Sequence, residues 1–251
     1  MFKEKLSVFL TVGNKKQKEL CEKLLSTISD IRFLDIRVVA DDDYGRRLGS
    51  GGAVLNILRN YYVSGRKMLI INSGGMSKRS VNYAVRSKAF ADVSYGGEII
   101  TLLEFILRSA EKLISSVSSG VLIFCSDIVV RTDNLNFTLS DNTGICVKAD
   151  FETASRHGVM MCGENSVMTD YLHKREASYL RMIAEKIGAD GMLVDTGITY
   201  FTDEFSQVLM KLSQKPDFER LFFKNSDLDG IRKLTVDVVP RVFNGNHAAA
   251  F

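Results

Sequence analysis

The chain has 251 residues, of which 45% are hydrophobic and 25% are charged, and its formal net charge is +3. These fractions are typical of a globular protein. The near balance of 33 basic and 30 acidic residues argues against a nucleic-acid-binding protein with a basic stripe, and no window approaches the roughly 18 unbroken apolar residues of a membrane span.

The first half of the chain alternates predicted strands with predicted helices. Apolar runs rich in β-branched residues predict strands at 6–12, 33–40, 67–72 and 121–125. Apolar residues at helical spacing predict helices at 15–28, 52–63 and 99–117. This βαβα order predicts a parallel sheet with helices on both of its faces.

The second half contains shorter predicted strands. They lie at 144–148, 157–162 and 167–171, followed by a helix at 176–187, a pair of strands at 192–201 and a helix at 204–212. The strand pair is broken at Gly197, where a bulge is the alternative. We therefore predict an α/β fold with a mainly parallel sheet and a smaller antiparallel layer in the second half. No Pro-rich or Ser-rich linker divides the chain, so residues 1–251 are predicted to form one domain.

The cysteines indicate a reducing compartment. Cys21, Cys125, Cys146 and Cys162 are scattered without CxxC spacing, which predicts buried free thiols rather than disulfides or a zinc site. The N-terminus carries acidic Glu4 and no small-residue cleavage pattern, so we expect no signal peptide. A cytoplasmic location is the expectation.

A glycine-rich segment opens the second predicted helix. Gly49, Ser50, Gly51 and Gly52 follow two arginines. Glycines expose backbone N–H groups, and a helix N-terminus favours an anion. Ligands of open parallel sheets bind at the carboxyl ends of the strands, which makes this segment a candidate phosphate site, although a plain turn explains it equally well.

Two further loops follow predicted parallel strands. Gly74 and Gly75 follow the third strand after Ser73 and precede Lys78 and Arg79, a combination suited to a polyphosphate. Lys88 lies within reach of that loop in sequence, but a solvated surface lysine is the alternative. Asp127 follows the fourth strand, where a carboxylate suits Mg²⁺ or serves as a turn residue.

Six sequence blocks in order resemble one enzyme family. They are 47–56 (RLGSGGAVLN), 72–79 (NSGGMSKR), 88–90 (KAF), 157–159 (HGV), 171–174 (YLHK) and 194–198 (VDTGI). These blocks resemble the signatures of fucose-1-phosphate guanylyltransferases, or GDP-L-fucose pyrophosphorylases, which also occur as one half of bifunctional fucokinase/GDP-fucose pyrophosphorylases. The resemblance implies a Rossmann-like sugar nucleotidyltransferase fold. It also implies a reaction of GTP with L-fucose 1-phosphate that gives GDP-L-fucose and pyrophosphate, with Mg²⁺ as cofactor.

The resemblance also implies a role for each matching residue. Arg79 would stabilise the leaving pyrophosphate, Lys88 the α-phosphate, and Lys174 the sugar phosphate. Asp127 and Asp237 would hold Mg²⁺. The nucleotide would contact Gly49, Ser50, Gly51, Gly52, Gly74, Gly75, Ser77 and Lys78, and the sugar phosphate would contact His157, Lys174, Thr196 and Gly197.

The chain departs from the family pattern at several positions. Val81, Asp92 and Arg175 stand where the pattern has proline, Ser87 stands where it has glycine, and the whole chain has two prolines. Proline stiffens a loop, so the alternatives are a non-catalytic nucleotide-binding relative, an inactive fragment truncated at its C-terminus, or a nucleotidyltransferase for another sugar 1-phosphate. Base preference and oligomeric state stay open.

Overall fold

The computed structural model describes residues 6–28, 35–41, 48–73, 87–126, 129, 139 and 141–214. The strands in this part of the chain are β1 (Ser7–Val12), β2 (Ile36–Ala40), β3 (Lys67–Asn72), β4 (Asp92–Tyr95), β5 (Glu98–Thr101), β6 (Gly120–Cys125), β7 (Thr143–Ala149), β8 (Gly158–Cys162), β9 (Met168–His173) and β10 (Met192–Phe201). The helices are α1 (Lys15–Leu25), α2 (Gly49–Tyr61), α3 (Leu102–Ser115), α4 (Phe151–Ala154), α5 (Ala177–Ile187) and α6 (Asp203–Ser213).

The first half forms the predicted parallel sheet, in the order β2-β1-β3-β6. The strands end level with one another, because Thr11 lies opposite Asn72 and Asn72 lies opposite Cys125. Side chains of a strand alternate between the faces of its sheet. Leu10 accordingly packs in the core on one face and Phe9 in the core on the other.

Helices cover both faces, as the βαβα pattern predicts. α3 packs its apolar stripe into the core on one face, and α2 and α6 pack together on the other. A third apolar cluster lies beneath α4 and α5, against strands of the second half. Each fully buried Leu, Ile or Phe side chain stabilises such cores by roughly 1.5–3 kcal/mol, so the sheet is held from both sides.

The antiparallel strands continue the same sheet. β10 pairs antiparallel with β6, with β7 and with β8, and β9 pairs with β8. Val194 lies opposite both Val147 and Val159, so β10 runs between β7 and β8 at that point. The predicted combination of a parallel sheet in the first half with antiparallel strands in the second half is confirmed, and a separate antiparallel hairpin is formed by β4 and β5.

The segment 192–201 is one strand with a bulge, so the predicted break is wrong and the alternative of a bulge is correct. Asp195 lies opposite Cys146 and Ile198 opposite Ile145, which leaves two residues of β10 without an opposite partner. Gly197 takes a φ of +67° there, a value that glycine adopts without steric cost. Pairing with β7 resumes after the bulge, and β10 therefore bends without ending.

The helix predicted at 99–117 starts later than expected. Residues Glu98–Thr101 form β5, which pairs with β4. Thr101 caps α3 by accepting a hydrogen bond from the Glu104 backbone N–H, while the Glu104 carboxylate accepts from the Thr101 backbone. This capping box satisfies two backbone donors at the helix start, and it ends the strand at Thr101.

The cysteines are free thiols, as predicted, but only one is fully buried. Burial raises the pKa of the Cys21 thiol to about 12, which keeps it protonated at neutral pH. Cys162 is exposed, contrary to the expected burial, because β8 ends there in a turn. Within the described residues, no helix has the length and apolar character needed to cross a membrane.

Replacing Asp203 with alanine is expected to lower the free energy of unfolding by about 2 kcal/mol. The Asp203 carboxylate accepts hydrogen bonds from the Tyr62 hydroxyl (2.5 Å), the Ser64 hydroxyl (2.7 Å) and the Gly65 N–H (2.8 Å). It thereby ties the start of α6 to the segment between α2 and β3. Urea unfolding of both proteins measures the loss, and Glu204→Ala, an exposed change in the same helical turn, serves as control.

The same carboxylate gives an acid dependence of stability. Burial raises the pKa of Asp203, but the hydrogen bonds from Tyr62, Gly65 and Ser64 outweigh it and hold the pKa below its usual value. The stabilisation of the folded chain by the Asp203 carboxylate is therefore present above the unfolded pKa of about 4. It is lost as pH falls through the lower pKa of the folded state. The free energy of unfolding of Asp203→Ala is thus expected to fall less steeply in acid than that of the unchanged chain. Equally steep declines would contradict the role given to Asp203.

Candidate functional site

The candidate site lies at the carboxyl edge of the parallel sheet. The Ser73 N–H donates to the Thr11 carbonyl (3.2 Å), and the Ser126 N–H donates to the Asn72 carbonyl (2.9 Å). These bonds extend the strand pairing by one residue beyond β3 and β6. The chain segments that leave these strands therefore begin side by side.

The glycine segment is anchored to the same edge through Asp41. Asp41 is buried directly after β2, and its carbonyl and side-chain Oδ1 accept hydrogen bonds from the Leu48 N–H at 3.0 and 2.9 Å. Gly49, Ser50 and Gly51 are exposed, and among the described residues no side chain caps this helix start. The start of α2 is thus exposed among the described residues, and the backbone N–H groups of a helix start are suited to binding an anion.

Lys88 lies at the carboxyl end of β3. It follows Ser87, whose hydroxyl lies 2.6 Å from the hydroxyl of Ser73. Both serines are buried, while Lys88 is half-buried and starts a single 3₁₀ turn, Lys88–Phe90. The structure thus places the Lys88 segment beside Ser73, the first residue after β3.

The bulge of β10 meets the end of β6. A Cβ on Gly197 would lie 2.7 Å from the Cβ of Cys125, so a glycine is needed for this approach. The Asp195 carboxylate accepts a hydrogen bond from the Gly197 N–H (2.7 Å). The buried Thr196 hydroxyl donates to the Ile145 carbonyl and is engaged inside the sheet, so its predicted contact with a sugar stays a prediction.

Tyr171 and Asp195 form a polar pair that the sequence analysis did not single out. The Tyr171 hydroxyl donates to Asp195 Oδ2 (3.0 Å), and a Cβ on Gly158 would overlap that hydroxyl. Burial, and then the nearby Asp195 carboxylate, raise the pKa of Tyr171, so the hydroxyl keeps its proton at neutral pH. Both residues belong to sequence blocks quoted above, and their contact depends on the register of β8, β9 and β10.

His157 and Lys174 meet at the end of the β8–β9 hairpin. The Lys174 N–H donates to the His157 carbonyl (3.0 Å), and both side chains are exposed. The register pairs Val159 of β8 with Val194 of β10, next to Asp195. The two predicted sugar-phosphate residues therefore lie at the same end of the hairpin as the β10 bulge.

Several predicted site residues lie outside the described residues. They are Gly74, Gly75, Ser77, Lys78, Arg79, Asp127 and Asp237.

The described part of the chain contains no group of three or more His, Cys, Asp and Glu side chains that could hold a metal ion.

Comparison with known proteins identifies one protein family. The family model for the fucose pyrophosphorylase domain matches residues 62–237. This range includes Lys88, His157, Lys174 and the β10 bulge, and it leaves out the glycine segment at the start of α2.

Three curated proteins are similar to this chain. A mouse fucose-1-phosphate guanylyltransferase is 27% identical over 63% of this chain. A Bacteroides fragilis L-fucokinase/L-fucose-1-P guanylyltransferase is 26% identical over 80% of this chain. An Arabidopsis thaliana bifunctional fucokinase/GDP-fucose pyrophosphorylase is 24% identical over 76%. The matches cover 29%, 23% and 23% of these proteins, so the chain spans about a quarter of their length.

Among solved structures, one of CMP:2-keto-3-deoxy-manno-octonic acid synthetase complexed with CTP aligns with this chain. The alignment covers 92% of this chain and 86% of the other, at 12% identity and a TM-score of 0.33. A TM-score of that size does not establish a shared fold.

Proposed function

We infer the function of this chain from one premise: the chain belongs to the family of fucose pyrophosphorylase domains. The proposed reaction transfers GMP from GTP to L-fucose 1-phosphate, giving GDP-L-fucose and pyrophosphate. The activity named for the mouse relative, fucose-1-phosphate guanylyltransferase, supports this proposal. The proposal extends that activity to a chain whose matches cover 29%, 23% and 23% of these relatives.

One structural observation carries the proposal. The exposed start of α2, the Lys88 segment and the β10 bulge all lie at the carboxyl edge of one sheet. A nucleotidyl transfer needs anion-binding groups for a triphosphate beside groups for the second substrate. The edge of this sheet meets that requirement. The backbone N–H groups of α2 and Lys88 lie on one side of it, and the Asp195 carboxylate lies on the other.

The sugar is proposed to bind near the β10 bulge. His157 and Lys174 are exposed at the end of the hairpin next to it, and a lysine there supplies a positive charge for the sugar phosphate. Asp195 adds carboxylate oxygens that accept hydrogen bonds from sugar hydroxyls, and Tyr171 holds that carboxylate in place (3.0 Å). Thr196 and Gly197 would then act by shaping the bulge that presents Asp195.

The proposed reaction requires little covalent chemistry from the protein. A phosphate oxygen of the sugar phosphate attacks the α-phosphorus of GTP, the bond to the β-phosphate bridging oxygen breaks, and pyrophosphate leaves with that electron pair. Positioning of the two anions and neutralisation of their charge supply most of the catalysis in such transfers. Lys88 is the described cation proposed to stabilise the α-phosphate, and Arg79 is proposed for the pyrophosphate.

Magnesium is part of the proposal. Mg²⁺ binds through one or two carboxylates together with substrate phosphates and water, and Asp127 and Asp237 are its candidate ligands. Asp127 follows Ser126 in sequence, and the Ser126 N–H bonds to the end of β3. Removal of the metal with a chelator is expected to abolish turnover, and added Mg²⁺ is expected to restore it.

The direct test is pyrophosphate release from purified chain mixed with GTP, L-fucose 1-phosphate and Mg²⁺. Turnover with this pair, and weaker turnover with other nucleotides and sugar phosphates, supports the proposal. Turnover only with another nucleotide and sugar phosphate would change the proposed substrates and keep the proposed class of reaction. Thermal stabilisation by GTP without pyrophosphate release from any pair identifies a nucleotide-binding protein and ends the catalytic proposal.

Replacing Lys174 with glutamine is expected to raise the KM for the sugar phosphate by about tenfold or more, since a charge-assisted hydrogen bond contributes ~1.5–3 kcal/mol. The affinity for GTP, measured by calorimetry, is expected to stay within about twofold, because the change removes only sugar-phosphate binding. Lys186→Gln, at an exposed position on α5, is the control. Equal losses in sugar-phosphate and nucleotide binding would contradict the role given to Lys174.

A further inference from the structure

We propose that the hydroxyl pair formed by Ser73 and Ser87 positions Lys88 for the reaction proposed above. The two serine oxygens lie 2.6 Å apart, and both side chains are buried, with 3% and 1% of their surface exposed. One serine directly follows β3 and the other directly precedes Lys88. The hydrogen bond therefore joins the carboxyl end of a central strand to the residue before the candidate catalytic lysine.

The Ser73 end of this connection is fixed by the sheet. The Ser73 N–H donates to the backbone carbonyl of Thr11 (3.2 Å) and lies 3.3 Å from the Thr11 hydroxyl oxygen. Thr11 belongs to β1, in the middle of the parallel sheet. The Ser73 hydroxyl is therefore fixed relative to the sheet. Its hydrogen bond to Ser87 holds the Lys88 segment against the sheet.

The Ser87 end is held in a backbone conformation that serine rarely adopts. Its φ is +69° and its ψ is 144°, a region that is sparsely populated by residues other than glycine. Such a conformation persists only where the surroundings determine it. Its hydroxyl is hydrogen-bonded to the Ser73 hydroxyl (2.6 Å) and accepts from the Ala89 N–H (3.4 Å).

The backbone of Lys88 is held by hydrogen bonds on both sides. On its N-terminal side, the Ser73–Ser87 hydrogen bond holds the preceding residue. On the other side the Ala91 N–H donates to the Lys88 carbonyl (2.9 Å), and the Ala91 carbonyl accepts from the Leu102 N–H at the start of α3 (2.7 Å). The side chain of Lys88 thus projects from a backbone that is tied to both the sheet and α3.

A glycine at position 87 would adopt this φ without strain. The serine is buried in a strained conformation, and its hydroxyl bonds to Ser73 and to the Ala89 N–H. We therefore assign the hydroxyl, and not the backbone shape alone, as the group that positions Lys88. A group displaced by about 1 Å in such a site can lower the rate by about 100-fold.

The kinetic test uses Ser87→Ala, Ser87→Gly and Ser73→Ala in the pyrophosphate-release assay. Each change is expected to lower kcat by about 10- to 100-fold while both KM values change less than about threefold. Ser73→Ala and Ser87→Ala together are expected to be no worse than Ser87→Ala alone, because both changes remove the same hydrogen bond between the two serines. In a Lys88→Met background, Ser87→Ala is expected to cause no further loss.

Two kinetic results would overturn the inference. One is an unchanged kcat in Ser87→Ala. The other is a loss that multiplies with that of Lys88→Met, since a serine that only stabilises the fold would lower activity in both backgrounds alike. Ser87→Gly separates the hydroxyl from backbone strain, because it removes the first and relieves the second.

Hydrogen exchange tests the positioning without turnover. Ser87→Ala and Ser73→Ala are each expected to speed exchange of the Phe90 and Ala91 amides at least about tenfold, with amides of β1 and β3 unchanged. Unchanged exchange at Phe90 and Ala91 would refute the positioning role. A chain that shows no turnover with any substrate pair refutes the proposed function, and exchange then decides by itself whether the serine pair holds the Lys88 segment.

Discussion

Replacing Lys88 with methionine is expected to lower kcat for pyrophosphate release by about 100- to 1,000-fold, the loss typical of removing one charge-stabilising group from a transition state. Methionine keeps much of the length and apolar packing of the half-buried lysine stem and removes only its charge and donors. The KM for the sugar phosphate is expected to change little, because the proposed partner of Lys88 is the α-phosphate of GTP. Steady-state kinetics with each substrate varied in turn measures both quantities.

The matched control for Lys88→Met is Lys186→Met. Lys186 is an exposed lysine in the last turn of α5, and kcat of this variant is expected to stay within about twofold of the unchanged chain. Equal thermal midpoints of the two variants would show that the loss at position 88 is not unfolding. A Lys88→Met protein that keeps more than about a tenth of kcat would remove Lys88 from the mechanism.

Replacing Gly197 with alanine is expected to lower the free energy of unfolding by about 3–5 kcal/mol, from backbone strain and overpacking together. The added Cβ would lie 2.7 Å from the Cβ of Cys125, and the backbone φ is +67°. Relief of the contact requires β10 to move away from the end of β6. That movement also displaces Asp195, whose carboxylate accepts the Gly197 N–H (2.7 Å), so the KM for the sugar phosphate is expected to rise.

Gly188→Ala is the matched control because Gly188 has the same φ of +67° and open space around its missing Cβ. This change adds the strain without the contact and is expected to lower the free energy of unfolding by about 1–2 kcal/mol. Urea unfolding of the two variants separates the terms. Equal losses at both positions would show that the close approach of Gly197 to Cys125 contributes nothing.

The fold was largely predictable because its signals are local. The runs at 67–72 and 121–125 are short, apolar and β-branched, and they form β3 and β6. The predicted helix at 99–117 begins too early, since Ile99 and Ile100 extend the apolar pattern of α3 in sequence. The pair Thr101 and Glu104 is a capping box, and it was visible in the sequence as the signal of the true start.

The bulge in β10 was harder to predict for a different reason. Gly197 in an apolar run indicates either the end of a strand or a bulge, and sequence alone does not separate them. The structure decides, because β7 provides partners on both sides of the bulge, Cys146 for Asp195 and Ile145 for Ile198. A strand with a neighbour on both sides of an irregularity continues through it.

The sequence by itself determined which chemical groups this protein possesses and where along the chain they fall: the glycine segment at the start of α2, Lys88 after β3, and His157, Lys174 and Asp195 in the second half. Only the tertiary structure decided which of them meet. The Thr11–Ser73, Tyr171–Asp195 and Ser73–Ser87 hydrogen bonds join residues 62, 24 and 14 positions apart. The periodicity of a sequence reports burial of each segment against its surroundings, whereas partners at such separations are chosen by strand order and register, which only the packed sheet establishes.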